Sequence, residues 1–117
     1  MRLKVPAWRS EDGAVTAEFA VVVPAVVLVL AMGLSAVQVG LTQLRATDAA
    51  ADAARSLGRG DDVGTAAGRV ARVLPGATMT SGMEGDLVCV RVDAVGGSGL
   101  AGVVPVSASS CAMVGGR

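Results

Sequence analysis

The chain predicts an α+β fold carried on a long N-terminal transmembrane helix that continues beyond the membrane. Three observations predict it: an uncharged run over residues 19–44, helical spacing that persists to residue 57, and a switch to two-residue alternation after Gly76. The expected organisation is a leader over residues 1–13, a membrane and extended helix over 14–57, and a small head over 58–117.

The leader is short and polar. It carries Arg2, Lys4 and Arg9, is interrupted by Pro6, and ends on the acidic pair Glu11 and Asp12. An ordinary secretory signal would place an apolar region of about 7–15 residues ahead of a small-residue cleavage site. Here the apolar region is longer, the small residues around Ala49 and Ala51 lie far past it, and Leu34, Ser35 and Ala36 make a poor site.

From Phe19 to Val37 the run is mostly Val, Ala and Leu. At a helical rise of about 1.5 Å per residue, roughly 20 such residues cross a hydrocarbon layer about 30 Å thick. A soluble helix that is apolar all round needs a large core to hide in, and 117 residues do not supply one beside it. Pro24 falls early in the run, where membrane helices tolerate a missing backbone donor, and it is expected to bend the helix. Arg2, Lys4 and Arg9 before the run are balanced by Arg45, Arg55 and Arg59 after it, so charge alone does not orient the span. Within the run, Ala31 with Ser35 and Ala36 with Gly40 form small-xxx-small pairs that let helices approach closely.

Residues 41–57 are rich in Ala and hold neither Pro nor Gly, so the helix should continue. Arg45, Asp48, Asp52 and Arg55 share one face, and Ala46, Ala50, Ala53 and Leu57 form a thin apolar face roughly opposite. Gly58 and Gly60 end it. Asp61 and Asp62 offer an N-cap to a second helix in which Val63, Ala66, Ala67, Val70, Val73 and Leu74 recur at helical spacing, until Pro75 and Gly76 stop it.

Over residues 87–94, Val88, Val90 and Val92 alternate with Cys89, Arg91 and Asp93, the pattern of a half-buried strand. A glycine-rich turn around Gly96, Gly97 and Gly99 leads to a second alternating stretch over residues 103–114, with Val104, Val106 and Ala108 on one face and Ser107, Ser109 and Cys111 on the other. A hairpin centred near Gly99 or Leu100 sets Cys89 opposite Cys111 on the more polar face, which predicts a cross-strand disulfide. A shorter strand over residues 77–81 could join the sheet.

Composition narrows function. Ten basic residues are scattered singly and balanced by ten acidic ones, so no basic patch points to nucleic acid. Histidine is absent, no nucleophile has a base beside it, and the cysteines form no Cys-x-x-Cys pair, so neither catalysis, a cofactor, a small-molecule substrate nor a metal is expected. The glycines near residue 96 lack the Lys-Ser/Thr of a phosphate loop and read as a turn.

One constellation stands at the start of the run: Gly13, four intervening residues, Glu18, Phe19, then the apolar stretch. Gly13 permits an open backbone at a scissile bond. Glu18 is a carboxylate at the threshold of a bilayer, where charge near the helix centre costs about 2.5–3.5 kcal/mol and less toward the interface. In these features the chain resembles type IV prepilins, and most closely the TadE-like pseudopilins of the tight-adherence (Flp) pilus, over residues 12–57. The resemblance implies cleavage between Gly13 and Ala14 by a membrane prepilin peptidase on the cytoplasmic side. It implies recognition and assembly roles for Glu18 and Phe19, with Glu18 pairing with the new Ala14 amine of a neighbouring subunit. The implied partners are other pilins, the assembly platform and membrane lipid. The implied place is the cell membrane, single-pass, N-terminus cytoplasmic and head extracytoplasmic, or the extracellular pilus. A head this size favours a minor pilin or pseudopilin over the main subunit. The alternative is an unprocessed single-pass membrane protein whose head binds a partner.

Overall fold

The structure, a computed structural model, describes residues 7–115, with side chains from residue 13 onward. Arg2, Lys4 and Pro6 of the leader lie outside the described residues, as do the side chains of Arg9, Glu11 and Asp12. The elements are α1 (Ala7–Gly58), α2 (Val63–Val73), β1 (Thr78–Glu84), β2 (Leu87–Val95), a short 3₁₀ helix (Gly99–Val103) and β3 (Pro105–Met113). The expected α+β class holds. Two compact units are present, Met1–Leu34 and Ser35–Arg117.

In the first unit, α1 carries nothing but exposed side chains over residues 13–34, among them Val22, Val26, Leu30 and Leu34. Pro24 lies inside α1 and removes one donor from its ladder without ending the helix. Gly13 is helical as well; its intrinsic penalty of about 1 kcal/mol is outweighed by helix on both sides.

The second unit is a three-stranded antiparallel meander, order β1-β2-β3, packed on one face by the C-terminal part of α1 and by α2. The α1 face is made of alanine: Ala46, Ala49, Ala50, Ala53 and Ala54 are all buried. Small side chains let helix and sheet approach closely, and the bulk of the core comes from Val90, Val92 and Val106 of the sheet with Val70 and Leu74 beyond them. On α2 the buried positions are Ala66 and Val70, with Leu74 just past its end, a stripe spaced by four; Val63 and Val73 stay about half exposed. The alternation in β2 is as expected, since Val88, Val90 and Val92 face the core while Arg91 faces out.

Three local features differ from expectation, each for a physical reason. The first strand runs on to Glu84, because Gly85 at φ +62° followed by Asp86 turns the chain in two residues and pairs Glu84 with Leu87. The third strand begins at Pro105, since Val103 is drawn into the 3₁₀ helix. Asp62 is the N-cap residue of α2 but makes no side-chain capping bond, and Asp61 instead accepts a hydrogen bond of 2.7 Å from the Ser56 hydroxyl.

The end of α1 meets β3 with no room to spare. A Cβ on Gly58 would lie 2.8 Å from the Met113 carbonyl oxygen, and the Gly115 amide donates to the Gly58 carbonyl at 2.8 Å. Alanine ordinarily favours a helix over glycine by about 1 kcal/mol. Overpacking against a backbone atom costs about 1–3 kcal/mol and should win. Gly58→Ala is therefore expected to lower the thermal midpoint of the detergent-solubilised chain; a raised midpoint would show that β3 can give way.

Candidate membrane and assembly segment

Gly13, Ala14, Glu18 and Phe19 all lie on α1 with exposed side chains, and Phe19 is 68% exposed. Gly13 has open space around it, since a Cβ there would meet no atom within 4 Å. Among the described residues, no ion pair engages Glu18. The chain thus brings the motif to one stretch of bare helix without giving its carboxylate a partner of its own.

Ala31 and Ala36 are exposed, Ser35 is half-buried, and Gly40 is open, with no atom within 4 Å of a Cβ built on it. These small residues leave the helix surface shallow where a neighbour could approach. Among the described residues, one helix, over Gly13–Gly58, is long and apolar enough to cross a membrane.

The last residues of the uncharged run pack into the second unit. The buried Thr42 hydroxyl donates to the Gly96 carbonyl at 2.8 Å, and the Gln43 amide donates to the Ser107 carbonyl at 2.9 Å. Sequence reasoning missed both residues; the signal was a pair of polar side chains near the close of an apolar stretch. Past them, Arg45, Asp48, Asp52 and Arg55 form an exposed stripe opposite the alanine face.

Cys89 and Cys111 are directly paired in the β2–β3 register and joined by a disulfide, with Cα atoms 4.0 Å apart. They sit on the outer face of the sheet, where Glu84 approaches with an oxygen 3.8 Å from the Cys89 sulfur. Both sulfurs are consumed by the bond, so this cluster offers a single carboxylate rather than a metal-ligand set.

Residues 13–55 match the family described as TadE-like protein. The chain carries a TadE-like segment. It begins at Gly13, takes in Glu18 and Phe19, and lies wholly within α1. The family is the one that the motif resembles. Together, the TadE-like segment and the candidate span fit a membrane protein. No curated protein and no solved structure matches the chain.

Proposed function

We propose that the chain is a minor pilin or pseudopilin of a tight-adherence (Flp) type IV pilus, a structural subunit that supports pilus assembly and adhesion. The observation that carries this reading is the TadE-like match beginning at Gly13, on a helix whose apolar surface is wholly exposed over residues 13–34. Such a helix needs a covering of lipid first and of other pilin helices afterwards.

In this reading the N-terminus is cytoplasmic and the head extracytoplasmic. Prepilin peptidase cuts between Gly13 and Ala14. Since α1 runs through Gly13, the peptide bond must leave the helix to enter the protease, and glycine, the weakest helix former after proline, makes that opening easier there. Cutting creates the Ala14 amine, a cation to which Glu18 of a neighbouring subunit can pair. Phe19 and the small residues Ala31, Ser35, Ala36 and Gly40 supply helix contacts in the assembled state.

N-terminal sequencing of the membrane-extracted protein tests the proposal. A mature start at Ala14 is expected. A retained Met1 would favour an unprocessed single-pass protein with a partner-binding head, and a start near residue 50 would mean cleavage of an ordinary signal.

A further inference from the structure

The head has two chemically different ends. At one, around the end of α1 and the β1–β2 turn, stand Arg59, Asp61, Asp62, Glu84 and Asp86. At the other lies the connection from β2 to β3, and residues 94–116 contain no charged side chain. This second end is pressed against α1 at Gln38, Val39 and Thr42. A Cβ on Gly96 would fall 2.7 Å from Val39 Cγ2, a Cβ on Gly97 would fall 2.8 Å from Gln38 Oε1, and Thr42 bonds the Gly96 carbonyl.

The connection turns its small residue inward and its large ones outward. Ala101 is 1% exposed, whereas Val95 is 57%, Leu100 62% and Val103 79% exposed. A solvated turn ordinarily places polar side chains there. The stretch of α1 that it packs against still belongs to the uncharged run, which ends at Leu44. Counting from Glu18, the roughly 20 residues needed to cross about 30 Å of hydrocarbon end at Gln38. The connection therefore sits level with the place where the helix leaves the acyl region.

We propose that the connection between β2 and β3 is a membrane-resting surface, with Leu100 and Val103 entering the boundary between headgroups and acyl chains of the leaflet from which the head emerges. The partner is a lipid surface, because the patch packs against the last residues of the uncharged run, bears no charge, and is opposite the charged end of the head. The inference rests on α1 crossing the bilayer, which it shares with the proposed function, but on neither processing nor filament assembly.

Full-length chain with Trp8→Phe, which clears the background, is reconstituted into phosphatidylcholine bilayers with a single tryptophan placed by Val26→Trp, Leu100→Trp or Val63→Trp. Val103→Trp serves as an independent second probe should Leu100→Trp misfold. In bilayers whose acyl chains are brominated along their length, from near the glycerol end to the chain terminus, the probes at positions 26, 100 and 103 are expected to lose most of their emission. The probe at 63 should keep its emission and be quenched by aqueous acrylamide instead. Quenching at 26 but not at 100 and 103 would overturn the inference while leaving the span intact. In that case access to acrylamide would mean a loop in water, and protection from both quenchers a loop covered by protein such as a second copy. No bromine quenching at 26 would remove the span and the inference together.

Discussion

Glu18→Ala is expected to leave the chain inserted and cut after Gly13 but to deplete it from assembled pili. The carboxylate stands exposed on α1, so truncating it removes no packing from the chain itself. Its removal also favours insertion, since a charge within a span is costly. What disappears, on the proposed function, is the acceptor for a neighbour's N-terminal amine. A hydrogen bond to a charged group contributes about 1.5–3 kcal/mol, so incorporation should fall by about ten- to a hundredfold. Glu18→Gln, which keeps size and loses charge, should fall nearly as far. The measurement is immunoblotting of sheared pili against membrane fractions, with the N-terminus sequenced in both. Normal incorporation of both variants would remove Glu18 from the assembly contact.

The second large effect belongs to the disulfide. Cys89 and Cys111 are separated by 22 residues. On the chain-entropy account, closing a loop of that length disfavours the unfolded state by about 3 kcal/mol. Because the bond lies on the outer face of the sheet, breaking it opens no cavity among Val90, Val92 and Val106. Cys89→Ser with Cys111→Ser should therefore still fold, with the head's midpoint lowered by on the order of 10–25 °C, taking about 4–8 °C per kcal/mol for a domain of this size. Reducing the natural chain should reproduce that shift. A midpoint unaffected by either treatment would mean that the strand register persists in the unfolded chain or that the bond does not form.

That register was legible from residues alone. Alternation in 87–94 and in 103–114 placed both cysteines on the polar face, and the midpoint of the glycine-rich turn placed them opposite one another; the pairing is the one observed. The TadE-like segment was legible for a similar reason, since Gly13, Glu18, Phe19 and the run after them form a local pattern that needs no tertiary context. Less visible was the far half of β1. Gly82 and the exposed Met83 and Glu84 have no strand signature of their own, and only the two-residue turn at Gly85 and Asp86 carries the strand that far. The inner wall that α1 gives the head was legible in part. Ala46, Ala50 and Ala53 stood out as an apolar face, whereas Ala49 and Ala54, buried beside them, look like generic helix formers until a sheet is laid against them.

The outward placement of the disulfide also makes the head a record of where it matured. Cys111 is exposed, so an oxidising enzyme can reach the pair after the strands have formed, and an alkylating reagent can read it later. A head delivered to an oxidising compartment carries the bond, while one held back in a reducing cytosol carries two thiols that a maleimide will tag. The ratio of tagged to untagged chains is then a direct count of translocation, obtained without fusing any reporter to the protein.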